Sequence, residues 1–500
     1  MTTHIGIVSA DVEPPNTTYC WVSLIDSSAV KKDGFVIIED AKRRFKLVGQ
    51  VIDIMNKVEI LTASSREQIL RRGRKAEDII KEAFNRPDFF KVYAKVKLLY
   101  KVENDGRISA VDTSPTDTSP VFLGDGQTLA EVLGFSKEPR KSVCLGFLYA
   151  HPEVSVCLDL NEMLAHHIAI FGQTNSGKSY ATGVIIEEAV SKGVPVVVFD
   201  HLGEYLSMAK AVDGGKGLDI IRVAPRDNLF IDFEDVMKAP QILTTLGVTD
   251  AQLNLLRDAY SEAKNHGLKG LGAVKWLLSD EKTQKGQKGV KKRLYLIGRS
   301  RGYSTATVDG LRWKLEALLS TGIFGDKLNV SGLVSPGRLT IVDLSATDIP
   351  INSLVIGTLL YKLLEARKNN EIPPVVVVIE EAHNYITRDE TPSSAVVRSL
   401  IRQARHWGIG VVLVSQRPAG LHTDALNIVN THVVFRLKGT DLEYIKQFAP
   451  FTREELEDIQ VLPKGVAYIT SPAIRGGINI KVAIRRRRTV HGGATVEFVK

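Results

Sequence analysis

Short apolar runs recur along the second half of the chain, and each ends in glycine, acid or amide groups. Ile168–Phe171, Val194–Phe199, Arg338–Leu344, Val375–Ile379 and Ile409–Val414 are near-continuous rather than alternating. Runs of that kind read as strands buried on both faces. Helical spacing fills the gaps, as in Ala181, Val184, Ile185 and Ala189, and again over Ile351–Arg367. Strand alternating with helix predicts a doubly wound α/β sheet, whose ligands sit at the carboxyl ends of the strands. Val433–Leu437 and Gly465–Thr470 read as further strands.

The first 150 residues follow a different rule. Ile5–Val8, Trp21–Ile25, Gly34–Glu39 and Lys46–Met55 read as short strands, with turn signals at Pro14-Pro15-Asn16 and Lys32-Asp33-Gly34. Lys91–Val102 alternates again, and the charged stretch Arg66–Phe84 reads as a helical insertion. This predicts a mostly β domain, closed as a barrel because closure removes exposed edges. Between residues 239 and 335 the strand pattern lapses. Ile242, Leu243 and Leu246, then Leu253, Leu256 and Tyr260, then Leu311, Leu315 and Leu318 recur at helical spacing and predict an inserted helical subdomain. The expected division is a barrel over 1–150, an α/β core over 151–238 and 336–484 with the helical insertion between, and a basic extension over 485–500.

Composition narrows the class. Five hundred residues exceed one core, and 44% hydrophobic content is ordinary for a folded chain. No apolar run approaches the roughly 20 residues of a membrane helix, and no secretory signal is visible, so no membrane partner and a cytoplasmic location are expected. Cys20, Cys144 and Cys157 lack metal-ligand spacing and read as buried thiols. The net charge of +8 permits a polyanionic partner without establishing one. His166, His167 and His383 form no metal-ligand cluster in sequence.

The chemistry centres on Gly172-Gln-Thr-Asn-Ser-Gly-Lys-Ser179, set between the strand Ile168–Phe171 and a helix. That is the context a phosphate-binding P-loop requires. Backbone N–H groups of such a loop cradle phosphates at the positive end of the helix. Gly172, Gln173, Thr174, Asn175, Ser176, Gly177, Lys178, Ser179 and Tyr180 are therefore candidates for ATP binding. Lys178 reaches the β- and γ-phosphates, and Ser179 is a ligand for Mg²⁺. Two further strand ends carry acids. Asp200 and Glu204 follow the second run, either near the nucleotide or as caps of the next turn. Glu380 and Glu381 follow the five-residue β-branched run, Glu380 placed for the Mg²⁺ shell and Glu381 for activating water. Gln416, at the end of the next strand, is a candidate sensor of the γ-phosphate. On Ser394–Trp407, Arg398, Arg402 and Arg405 share one face, and either Arg402 or Arg405 is a candidate arginine finger for a neighbouring subunit's nucleotide. The loop 207–216, with Lys210 and Lys216, is a candidate for gripping DNA phosphates. Lys282–Arg293 is basic and glycine-rich, and reads either as a nucleic-acid contact or as a solvated loop. The run Arg485–Arg488 must meet phosphate, acids or solvent.

These motifs, in this order and spacing, resemble the archaeal HerA branch of the FtsK/HerA group of P-loop ATPases. The residues carrying the likeness are the P-loop, Phe199-Asp-x-x-Gly-Glu-Tyr205, Val378-Ile-Glu-Glu-Ala-His383, Arg402-Gln-Ala-Arg405-His-Trp-Gly and Val414-Ser-Gln-Arg-Pro418. The resemblance implies a RecA-like core, an N-terminal barrel like the HAS barrel, and homohexameric rings on double-stranded DNA that hydrolyse ATP between subunits. It implies helicase and translocase activity from either end polarity, with the NurA nuclease as partner in end resection for recombinational repair. It adds His491 and Gly492 of the C-terminal extension to the ATP-binding candidates. Two departures stand out: Asn175 replaces a common Gly, tolerable if its φ is not positive, and the paired acids are Glu-Glu rather than Asp-Glu, which leaves their roles open between them. Competing readings are a conjugation or packaging motor, a protein-handling or rotary ATPase, and a non-hydrolysing clamp, which the paired acids oppose.

Overall fold

A computed structural model describes residues 3–58, 90–281, 291–325 and 329–493, and leaves the Arg405 side chain undescribed. The expected helix over Arg66–Phe84, and residues 282–290 of the basic loop, lie outside the described residues.

The N-terminal alternation produces β1 (His4–Val8), β2 (Tyr19–Leu24), β3 (Phe35–Asp40), β4 (Phe45–Val58), β5 (Phe90–Glu103), the two-residue β6 (Ile108–Ser109) and β7 (Pro120–Leu123). Their order is β2-β1-β7-β3-β4-β5, and β2 also pairs with β5, so six strands close into a barrel; β6 adds to the outer edge of β5. The inward positions Ile5, Val22, Ile38, Leu47 and Val96 form its core. Buried Cys20 belongs to that core, and burial pushes its thiol up to about 12. It is the free cysteine; Cys144 and Cys157 are disulfide-bonded, which corrects the reading of all three as thiols.

Two units emerge from the packing. The first takes residues 1–137, 146–157 and 474–483, and the second takes the rest. Chain order alone did not place residues 474–483 in the first unit. Within it, Tyr149 N–H donates to the Lys481 carbonyl, Lys481 pairs with Asp33 at 3.3 Å, and the Tyr100 hydroxyl bonds to the Arg475 carbonyl.

After β8 (Ser142–Leu148) and β9 (Ser155–Asp159) come the core strands: β10 (Ile168–Phe171), β11 (Val196–Asp200), β12 (Ile220–Val223), β15 (Leu339–Asp343), β16 (Val375–Ile379), β17 (Ile409–Ser415), β18 (Thr431–Val434) and β19 (Val466–Thr470). The hairpin strands β13 (Asp280–Glu281) and β14 (Lys291–Lys292) fall in the helical insertion, and β20 (Ile480–Ile484) closes the series. In the second unit the order is β12-β15-β11-β16-β17-β10-β18-β19, parallel throughout except for β19. Every residue of β10, β11, β16 and β17 is buried, as their unbroken apolar runs require. This is a RecA-like α/β sheet with the P-loop strand β10 between β17 and β18.

Helix Ile349–Lys368 covers the sheet. Asp348 caps its start by accepting from Ile351 N–H at 3.1 Å, a proline fills the first turn, and Arg367 and Lys368 sit in the last turn, where cations suit the dipole. It is long and apolar enough to cross a membrane by composition, yet Leu354, Ile356, Leu360 and Leu363 are core residues. In the insertion, Thr249 and Gln252 form a reciprocal capping box at the start of helix Asp250–Asn265. Leu253, Leu256 and Tyr260 on that helix, with Leu311 and Leu315 on Thr305–Ser320, share the core with the sheet.

Helix Ile349–Lys368 meets helix Pro392–Trp407 closely at Gly357, where an added Cβ would lie 2.7 Å from the Pro392 carbonyl oxygen. Gly→Ala inside a helix ordinarily stabilises by about 1 kcal/mol. Here the sign reverses: Gly357→Ala should destabilise by roughly 1–3 kcal/mol, the range for overpacking, read as a lower urea midpoint.

Candidate functional site: a nucleotide cleft

The P-loop leaves β10 and turns into helix Lys178–Ser191 through a backbone that few sequences adopt. Gly177 has φ 122°, open only to glycine, and the following residues begin the helix. An added Cβ at Gly172 would lie 2.6 Å from Phe435, so the loop passes too close to the β18 exit for a side chain. Asn175 has φ 62°, so the condition placed on it from sequence is not met. Asparagine is among the few side chains that tolerate this region, and its Oδ1 accepts from Lys464 Nζ at 2.6 Å.

The loop borders a cleft of about 450 Å³. Thr174, Asn175, Gly177, Lys178, Ser179 and Tyr180 line one side, and Glu204 and Glu381 line another. Lys178 is buried, and its Nζ donates to the Gln173 carbonyl at 3.1 Å. Desolvation lowers its pKa, and Glu381, Glu380 and Glu204 oppose the shift. A buried cation aimed into a cleft of backbone N–H groups is a receptor for phosphate oxygens. Thr174 Oγ1 donates to Gln416 Oε1 at 2.8 Å, which ties the loop to the end of β17. Gln416 is thus beside the loop, although it does not line the cleft.

The acids divide in a way the sequence left open. Asp200 is buried and accepts from the N–H groups of Gly203, Glu204 and Tyr205 at 2.8, 3.2 and 3.0 Å. It therefore builds the turn that presents Glu204, the capping alternative, and does not itself line the cleft. Glu380 is also buried away from the cleft, bonded to the buried Tyr205 hydroxyl. Desolvation is the main reason its pKa rises to about 8; the Tyr205 bond opposes the rise, and neighbouring carboxylates add to it. Glu381 faces the cleft from a left-handed backbone, φ 45° and ψ 46°. A glutamate held there is strained, and such strain at a site needs surrounding structure to hold it. Its Oε2 lies 3.3 Å from His383 Nδ1, which is 3.1 Å from Ser415 Oγ. Burial pushes His383 down to about 4, so the ring is neutral at pH 7 and bridges the ends of β16 and β17.

Among the described residues no group of three His, Cys, Asp or Glu forms a ready metal cage. Mg²⁺ at phosphate sites keeps water and takes oxygens from the substrate phosphates. Ser179, Glu204 and Glu381 are oxygen groups that line the cleft; Glu380 does not line it.

The C-terminal extension closes one side. Val490 N–H donates to the Lys210 carbonyl, and Ser207 Oγ to the Val490 carbonyl at 3.0 Å. His491 lines the cleft edge-on to Tyr180, with ring centroids 5.6 Å apart. Gly492 does not line it; an added Cβ there would lie 2.3 Å from the Glu204 carbonyl oxygen. The arginine run meets acids: Arg485 pairs with Glu187 and Glu188 at 3.0 and 2.8 Å, and Arg488 with Glu188 at 2.8 Å. Buried Arg487 fits only because Gly183 has no Cβ; one there would lie 2.4 Å from its Cζ. Lys464 and Gly465 also line the cleft and escaped the sequence reading. Their one signal was the Pro463-Lys464-Gly465 turn before β19.

Arg398 and Arg402 do not line the cleft. Arg402 pairs with Asp424 at 3.0 Å and is 62% exposed, while Arg398 is held by Glu390 and His422. Lys210 and Lys216 are exposed and face each other across a small turn.

Sheet, loop and paired acids define a P-loop ATPase, and ATP with Mg²⁺ is the cofactor pair this chemistry takes. Residues 143–363 match the family described as DUF87: Helicase HerA, central domain. The chain is similar to the DNA double-strand break repair helicase HerA of Pyrococcus furiosus, 25% identical over 66% of this chain and 67% of that protein. It is also similar to the probable DNA double-strand break repair helicase HerA of Methanocaldococcus jannaschii, 27% identical over 71% and 78%. By these comparisons the chain is similar to HerA helicases, with the family match lying over its central residues 143–363. Among solved structures, VirB4 of Thermoanaerobacter pseudethanolicus gives a TM-score of 0.51 at 14% identity, covering 69% of this chain and 96% of that one. The plasmid coupling protein TrwB in complex with GDPNP gives 0.52 at 14%, covering 75% and 95%. At that identity the likeness is one of fold.

Glu380 makes stability depend on pH. Its folded value near 8 exceeds the unfolded value of 4.5, so the folded state binds the extra proton between them. Its stabilising contribution is complete below about pH 4.5 and fades as pH rises toward 8. Buried His383 and His432, both near 4, act oppositely as pH falls below 6.5. The Glu380 component is therefore read as a difference: nucleotide-free Glu380→Gln should show a flatter decline of stability from pH 6.5 to 8 than the unaltered protein.

Proposed function

We propose that this protein is an ATP-driven translocase and helicase of double-stranded DNA, acting in double-strand break repair by homologous recombination. The observation that carries the reading is the cleft itself. Buried Lys178 faces Glu204 and Glu381 across a P-loop in a chain whose central domain is of the HerA type. In this reading Lys178 and the loop amides hold the phosphates, and Ser179 completes the Mg²⁺ shell. Bound Mg²⁺ supplies charge neutralisation for phosphoryl transfer. Glu381, set by its left-handed backbone and the neutral His383, orients and deprotonates the attacking water. Glu380 and Tyr205 hold the acid pair in place from behind. Gln416, bonded to Thr174, reports loop position to β17. His491 and Tyr180 border the nucleotide from the extension side.

The finer parts rest on the family resemblance: a homohexameric ring, the NurA nuclease as partner, motion in both directions, and a cytoplasmic setting. The outward position of Arg402 supports a finger that acts on a neighbouring copy. An exposed ion pair is worth at most about 1 kcal/mol, so exchanging Asp424 for a phosphate costs little. Arg405 keeps its place as the alternative finger. Lys210 and Lys216 are the proposed phosphate grips.

ATP turnover measured with and without linear duplex DNA tests this reading. Duplex should stimulate turnover strongly, and Lys178→Ala should abolish it. Turnover indifferent to DNA at low salt would sink the DNA-motor reading and favour a protein-handling ATPase.

Two variants separate the roles. Glu381→Gln should lower turnover by about 10²–10⁴-fold while nucleotide still binds. Loss of the trans finger should cost on the order of 10³-fold, so whichever of Arg402→Ala and Arg405→Ala keeps full turnover is not the finger.

A further inference from the structure

The chain's charge is not spread evenly. Between Asp280 and Glu316 the sequence carries ten Lys and Arg against four Asp and Glu, a net of +6 in a chain whose total is +8. None of the described ones among them lines the nucleotide cleft. Several lie in the wall of a cavity of about 680 Å³ in the helical insertion, within the usual size of a ligand pocket. Lys292, Tyr295, Arg299, Tyr303 and Arg312 are in its wall.

The wall is built, not loose. The Tyr295 hydroxyl bonds to Asp309, and the Tyr303 hydroxyl donates to Asp258 at 2.9 Å, so both rings are fixed by their polar ends. Lys292 and Arg312 share Glu316, the latter at 2.9 Å. Arg299 and Arg301 are exposed and have no carboxylate partner among the described residues. Trp313 follows Arg312 on the same helix; the guanidinium stacks on its ring at 4.6 Å, yet the indole remains 64% exposed. The indole thus offers an exposed ring next to Arg312, which shares the cavity wall with Arg299.

Cations that track a phosphate backbone, interleaved with aromatic faces, are the chemistry of single-strand binding. Every base offers a face to stack on, and the backbone supplies the charge. We propose that this surface of the helical insertion is a second nucleic-acid site, taking single-stranded DNA with a base stacked on Trp313 and phosphates on Arg299 and Arg301. The site stands apart from the proposed motor and does not depend on it.

The test uses the full chain in a Lys210→Ala/Lys216→Ala background, so the phosphate grips of the motor reading do not hide the effect. Fluorescence anisotropy follows two labelled probes, dT10 and an abasic phosphodiester oligomer of the same length. Arg299→Ala/Arg301→Ala should weaken both probes and reduce the salt slope by about 1.4, the release expected for two single-strand phosphates. Trp313→Ala should weaken dT10 by on the order of tenfold or more and leave the abasic probe nearly unchanged, because stacking on one base is worth about 1–3 kcal/mol. Trp313→Phe should restore most dT10 affinity, which a general folding defect would not allow. DNA-free ATP turnover of each variant should match that of the Lys210→Ala/Lys216→Ala background. Unaltered dT10 binding in both the arginine and Trp313→Ala variants overturns the site. Equal loss of both probes in Trp313→Ala overturns the stacking assignment. Failure of duplex to stimulate turnover would sink the motor reading while leaving this binding result standing.

Discussion

One buried cation sets the terms for the rest of the second unit. Lys178 has lost most of its water, and charge without water is tolerated only when other charges or dipoles replace it. Three glutamates supply that replacement, two from the end of one strand and one from the turn after another. Burial of Glu381 is in turn offset by Lys178 and by a backbone hydrogen bond from Gln416, and that of Glu380 by the Tyr205 hydroxyl. Phosphate arriving in the cleft would satisfy Lys178 from the open side and shift the balance among the acids. Glu380 and Glu381 follow directly on the buried strand β16, which fixes where both acids begin.

The two acids show how position on a strand divides labour. Glu380 completes the β16 ladder, its N–H donating to the Phe199 carbonyl, and its side chain goes inward to Tyr205. Glu381 must then turn out, and the left-handed backbone is what turns it. The strain is held by His383 and Ser415 alongside it and by the Thr174–Gln416 bond beyond.

What the sequence made legible follows from range. The strands of the core, the P-loop and the helix after it are local, since each is specified by a run of a dozen residues. The same holds for the helical spacing of Leu253, Leu256 and Tyr260. The orientation of Glu380 against Glu381 was not legible, because it depends on a Tyr205 hydroxyl 175 residues away. Lys464 and Gly465 were missed for the same reason: a three-residue turn has no periodicity to announce it. Asp200 was legible only as two alternatives, and three backbone N–H groups decide between them. Residues 474–483 also belong to the barrel unit, a long-range return that chain order does not show.

The arginine run Arg485–Arg488 is the instructive case. Four like charges in sequence imply repulsion and solvent, and taken alone they gave no ranking among partners. In the fold they alternate sides: Arg485 and Arg488 reach Glu188, and Arg487 goes inward over Gly183 toward Tyr180. Glu187 accepts from the N–H groups of Arg488 and Thr489 and from the Thr489 hydroxyl, so one buried carboxylate anchors the backbone as well as the charge. Because Glu187, Gly183 and Tyr180 all lie on the helix that begins at Lys178, the extension is registered against the P-loop itself. His491 reaches the cleft only because that register holds. A local rule about charge runs could not have found this, since the acids that answer the arginines stand some 300 residues earlier, on the helix that follows the P-loop.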